Sequence, residues 1–155
     1  MDEDRAGAIA DHLGARDLRL AVAESLTGGM VSSSLAKAPR ASSWLVGGVV
    51  AYMSEVKHEV LGVESGPVVT EAAALQMARG VARLFGADVA LSVTGVGGPD
   101  PEEGKPPGTV WVGLCSGERA EAHHLQLDGD PPTVCEAACE EALRLLEEHL
   151  GADST

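Results

Sequence analysis

Leu18 to Met30, LRLAVAESLTGGM, decides the reading of the fold. Residues 18–23 are a short apolar run of strand length, and Glu24 to Gly29 form a polar, glycine-rich turn. From Met30 to Ala38 the residues are small and suit a helix, which Pro39 stops. A strand that runs through a glycine-rich turn into a helix is the repeating unit of α/β sheets. Their ligand crevices open beyond the carboxyl ends of the strands.

Working outward, Ala6, Ile9, Ala10 and Leu13 share one helical face upstream, with Gly14 placed to end that helix. Downstream, Leu45 to Tyr52 reads as a second strand, whose adjacent Gly47 and Gly48 suggest a bulge or close backbone approach. Ser54 is expected to cap a short helix that Gly62 closes, and a longer helix runs from Thr70 to Gly86. Asp88 to Thr94 is a third strand, apolar almost throughout, as a strand covered on both faces requires. Gly95 to Gly108 holds five Gly and four Pro in fourteen residues and reads as a specialised loop. Strands over 109–115 and 119–127 follow, joined at Ser116-Gly117 in hairpin fashion, before a last helix from Thr133 to Leu150 preceded by Pro131 and Pro132. The pattern predicts a three-layer α/β/α sandwich on a mixed, mainly parallel sheet with a β-hairpin in the C-terminal half. No linker or repeat divides the chain, so one domain is expected over residues 1–155.

Composition narrows the function. Eleven Lys and Arg against twenty-four Asp and Glu give a net charge of −13, which disfavours nucleic acid and anionic membranes as partners. Aromatic residues are only 3% of the chain, too few for a base-stacking platform. Cys115, Cys135 and Cys139 are odd in number and lack CxxC spacing, so reduced thiols are expected in place of disulfides or zinc. The acidic N-terminus lacks the apolar core of a signal peptide, and no apolar run approaches the ~18 residues of a membrane span. A soluble, cytoplasmic protein is the expectation.

Three stretches could carry chemistry. Unpaired N–H groups at a helix start carry partial positive charge and could hold an oxyanion around Thr27, Gly28 and Gly29. Ser25, just before them, then suits a nucleophile, although Ser25 and Thr27 suit helix capping equally well. A nucleophilic serine needs a base. His12, His58 and His149 fall on apparent helix surfaces, while His123 and His124 point to opposite faces of a strand. Lys57, five residues after Tyr52, can reach a strand-end crevice and would act as a base if burial made its neutral form accessible. The alternative is a solvated helix lysine. Thr94-Gly95-x-Gly97-Gly98-Pro99 leaves the third strand into the same crevice, but it is neither a Walker A loop nor GxGxxG. No set of His, Cys and Asp has metal-ligand spacing, so neither a metal nor a cofactor is expected.

Four segments in fixed order resemble the CinA carboxy-terminal family: AESLTGGM (23–30), GGVVAYMSEVKHEVLGV (47–63), VVTEAAALQMARG (68–80) and SVTGVGGPDP…KPPGTVWVGL (92–114). The resemblance spans about residues 5–150. It implies the activity of the stand-alone, PncC-type members, which hydrolyse nicotinamide mononucleotide to nicotinic acid mononucleotide and ammonia in NAD recycling. It also implies a metal-free α/β/α domain that forms homo-oligomers and takes a pyridine nucleotide as its small-molecule partner. Carried over by motif, Ser25 is the nucleophile and Lys57 the general base, with Tyr52 beside it. Thr27, Gly28, Gly29, Thr94, Gly95, Gly98 and Thr109 are the expected substrate-binding residues. One departure stands out. Where the family has GDRxxVR, this chain has Gly129-Asp130-Pro131-Pro132-Thr133-Val134-Cys135, and both arginines that would suit a phosphate are gone. Lys105 or Arg40 are the candidate substitutes. The loss leaves a second reading open, a non-catalytic nucleotide-binding or interaction module of the same fold.

Overall fold

A computed structural model describes residues 1–153. The elements are α1 (Glu3–Ala15), β1 (Leu20–Glu24), α2 (Met30–Ala36), α3 (Ala41–Trp44), β2 (Leu45–Val50), α4 (Ser54–Leu61), α5 (Glu71–Phe85), β3 (Val89–Gly95), β4 (Thr109–Ser116), β5 (Arg119–Gln126) and α6 (Pro131–Asp153). They build one five-stranded sheet in the order β2-β1-β3-β4-β5. β1 pairs in parallel with β2 and β3, while β3–β4 and β4–β5 are antiparallel. β4 therefore runs against the other strands, and the mixed α/β fold expected from the sequence is present.

Side-chain size sorts the two faces of the sheet. Leu20, Val22, Leu91, Val93, Val112 and Leu114 belong to the core shared with α1, α2 and α6. On the opposite face Ala21, Ala23 and Ala90 meet Ala73, Met77 and Ala78 of α5. Small residues let α5 lie close to the strands. A Cβ added at Gly113 of β4 would come 2.4 Å from the Ala74 carbonyl oxygen, so this crossing requires glycine. Thr70 caps α5 by accepting the Ala73 N–H at 3.0 Å, and Gly86 ends it in the left-handed conformation.

Three local expectations change. Met53, not Ser54, is the cap residue of α4, and Ser54 is its first helical residue. Pro131 and Pro132 lie inside α6, because first-turn residues have no intrahelical acceptor for the N–H that proline lacks. Asp130 holds that start, its Oδ1 accepting the Thr133 N–H at 2.9 Å. The short α3, unread in the sequence, buries Trp44, whose indole N–H donates to the Pro39 carbonyl at 3.0 Å. Among the described residues no helix is long and apolar enough to cross a membrane.

Candidate active site

The carboxyl ends of β1, β2 and β3 open into a cleft of about 650 Å³. Ser25 lies in it just past β1, Lys57 comes from α4, Tyr52 from the segment after β2, and Gly95 and Gly98 from the end of β3 and its loop. Val68, Val69, Glu102 and Glu103 complete the wall. Residues far apart in sequence thus meet because three parallel strands end at one edge.

The turn after β1 is organised by Glu24, a residue that the sequence reading left without a role. Its carboxylate is fully buried. Oε1 accepts the Thr27 hydroxyl (2.7 Å) and the N–H groups of Gly29 (3.2 Å) and Val31 (2.9 Å). Oε2 accepts both the N–H (2.9 Å) and the hydroxyl (2.7 Å) of Ser32. A buried carboxylate is tolerable only when its lone pairs are satisfied, and here they are. The start of α2 is therefore filled by the protein itself. Gly28 N–H is taken by the Ser25 carbonyl and Met30 N–H by the Thr27 carbonyl.

Thr27, Gly28 and Gly29, expected to bind substrate, shape the turn, and none of the three is among the residues that line the cleft. Gly29 instead supplies a backbone with φ of 107°, a left-handed conformation that favours glycine. The N–H groups of Ser25, Leu26 and Thr27 are taken neither by Glu24 nor by the turn carbonyls. A sequence signal for Glu24 existed, a carboxylate closing an apolar strand immediately before a helix start.

Thr94 and Thr109 likewise make contacts within the protein. Thr94 is fully buried and its hydroxyl donates to the Val68 carbonyl at 2.8 Å. The Thr109 hydroxyl lies 2.8 Å from the Pro106 carbonyl. Both hydroxyls fasten the loop and the wall in place of facing the cleft. Glu103 does the same from the other side: its two carboxylate oxygens accept the N–H groups of Val68 (2.9 Å) and Val69 (3.0 Å). Those bonds hold Glu103 at a φ of 54°, which a non-glycine residue rarely adopts. The Lys105 ammonium donates to the Val69 carbonyl, and Arg40 pairs with Asp11 at 2.8 Å. Neither is among the cleft residues, so neither replaces the missing arginines there.

Lys57 is 3% exposed, enclosed by the walls of the cleft. Burial pushes its ammonium below the ordinary lysine range, while the negative field of Glu102 and Glu103 pulls weakly the other way. Ser25 is 5% exposed. Tyr52, in contrast, is 70% exposed at the mouth of the cleft. No histidine lines the cleft. His149 is buried and not on a helix surface, with Nε2 2.9 Å from Ser116 Oγ. Cys135, at the second of the missing arginine positions, donates its thiol to the Leu26 carbonyl at 3.1 Å and so ties α6 to the Ser25 turn.

The pattern of the CinA C-terminal domain matches residues 2–150. The chain belongs to this family. It is 39% identical over 154 residues to a CinA-like protein of Frankia casuarinae, covering 96% of this chain and 36% of that one. It is 44% identical over 121 residues to a CinA-like protein of Gemmatimonas aurantiaca, covering 73% of this chain and 28% of that one. This CinA domain thus spans about a third of the length of those relatives. Among solved structures, a CinA superfamily protein from Klebsiella pneumoniae superposes with a TM-score of 0.91 at 32% identity, covering 97% and 98% of the two chains. A CinA superfamily protein from Escherichia coli gives 0.89 at 34% identity, covering 94% and 88%.

Proposed function

We propose that this CinA domain is an amidohydrolase that deamidates nicotinamide mononucleotide through Ser25 and Lys57. The observation that carries the reading is a lysine buried in the same cleft as a serine, with its ammonium destabilised by that burial. A neutral amine is a base; a solvated ammonium is not. In this reading Ser25 Oγ attacks the carboxamide carbon while Lys57 Nζ takes the hydroxyl proton. The tetrahedral oxyanion is received by the N–H group of Leu26, the residue of this turn that lines the cleft beside Ser25. Lys57 returns the proton to the leaving nitrogen, ammonia departs, and an acyl ester remains on Ser25. Water, deprotonated by Lys57, then attacks that ester and frees the carboxylic acid and the serine hydroxyl. Tyr52, exposed at the mouth, suits stacking on the pyridine ring better than proton transfer.

A second reading, a nucleotide-binding module without catalysis, is favoured by the start of α6. Pro131 and Cys135 stand where phosphate-binding arginines are expected, and Cys135 is already committed to a protein contact. One experiment separates the two: ammonia release from nicotinamide mononucleotide by the purified domain beside a Ser25→Ala control. Release that depends on Ser25 supports the amidase. Binding of the nucleotide without release supports the module.

A further inference from the structure

The opposite end of the sheet carries a second cleft, of about 720 Å³, where the amino ends of β1 and β3 meet the carboxyl end of β4. Arg16, Arg79 and Arg83 line it, and Ser116 and Gly117 of the hairpin turn form one lip. In a chain of net charge −13 this concentration of cations is out of character. The arginine ion pairs elsewhere use Arg5, Arg40, Arg119 and Arg144. Among the described residues the four arginines left without a carboxylate partner are Arg16, Arg19, Arg79 and Arg83, and all four fall at this end.

Their placement is structured. Arg79 and Arg83 sit one turn apart on α5 and project from the same face. Arg79 is close enough to act electrostatically on the Cys115 thiol in the cleft wall. Arg83 reaches the end of α4, where a Cβ added at Gly62 would come 3.2 Å from its Nη2. Among the described residues Asp88 is the one acid in the lining, and its Oδ2 already accepts the Arg19 N–H at 2.9 Å.

We propose that this cleft is a binding site for a compact polyanion of the phosphate type, held by Arg16, Arg79 and Arg83. Guanidinium forks match phosphate oxygens in pairs, and three of them exceed what a single carboxylate can use. The lining contains no aromatic ring, so nothing there would stack on a base, and recognition falls on the charged groups. The acidic remainder of the surface repels long polyanions such as nucleic acid, which leaves small ones.

The test is a two-dimensional amide NMR titration of the folded domain with phosphate, pyrophosphate and tripolyphosphate at low ionic strength. Saturable shifts are expected at residues 116–118 and 86–88, with affinity rising along the series and falling as salt screens it. The double variant Arg79→Ala/Arg83→Ala should keep the fold and lose at least about tenfold in affinity, the smallest loss expected when charge-assisted bonds are removed. A titration without saturable shifts overturns the proposal. So do shifts centred on the Ser25 cleft, an affinity indifferent to anion charge, or unchanged binding by the double variant.

Discussion

The two ends of one sheet treat their cations in opposite ways. At the carboxyl ends Lys57 is enclosed, and burial destabilises its charge. At the amino ends Arg16, Arg79 and Arg83 stay exposed. The difference follows from chemistry as well as place. An ammonium can lose its proton when desolvated and so become a base, whereas guanidinium holds its charge at any ordinary pH and serves attraction alone. Burial makes a reagent; exposure makes a binding surface.

The sharpest way to break this comparison is at the enclosed end. Ser25→Ala and Lys57→Arg should each lower amidase turnover by at least about a thousandfold while leaving the circular dichroism spectrum unchanged. An active Lys57→Arg enzyme would remove the lysine from the chemistry, because arginine cannot act as the base. In the wild type the rate should climb with pH along one ionisation below the usual lysine range, since only the neutral amine abstracts a proton. A flat profile over that range would count against a titrating lysine.

Next in size is the support beneath the site. Glu24→Ala removes the acceptor of the bonds from Thr27, Gly29, Val31 and Ser32 and leaves those donors buried. A loss of about 3–5 kcal/mol is expected in urea unfolding, as for a buried charged group whose partners are stranded. A loss below ~1 kcal/mol would mean that water replaces the carboxylate and that the turn is less closed than its contacts indicate.

Lys57→Met tests the burial itself. The folded protein holds the Lys57 proton less tightly than the unfolded chain does, so wild-type stability rises with pH between the lowered folded pKa and the unfolded value. Below that window the charged lysine is a burden, and Lys57→Met should be the more stable protein. Inside the window its advantage should shrink by up to about 1.4 kcal/mol per pH unit. Parallel stability curves for the two proteins would show that Lys57 is not desolvated. The smallest effect belongs to the exposed end: Arg79→Ala should change stability by less than ~0.5 kcal/mol, as surface substitutions do. A larger loss would reveal a structural role for that arginine.

The strand–turn–helix at 18–30, the capped α5 and the β4–β5 hairpin were legible because each is written in residues close together, through apolar spacing, caps and glycines, although the hairpin turns at Gly117-Glu118 and not at Ser116-Gly117. The same local signals marked Ser25, Lys57, Gly95 and Gly98, which the fold does gather into one cleft. They could not mark which polar atoms are already in use. Glu24 fills the donors at the start of α2, and the Thr94 and Thr109 hydroxyls bond to carbonyls of neighbouring segments. Those acceptors are chosen by how the turn and the loop pack, not by spacing along the chain. The enclosure of Lys57 is likewise the work of cleft walls from separate segments, which spacing along the chain does not show. The gathering of Arg16, Arg79 and Arg83 depends on α5 lying across the sheet beside the end of α1. Sequence alone determined the elements other than the short α3, because longer helices and strands answer to periodicity within a few residues. Tertiary structure decided which charges are buried and which hydrogen-bonding groups remain available, because desolvation is a property of everything that surrounds a group.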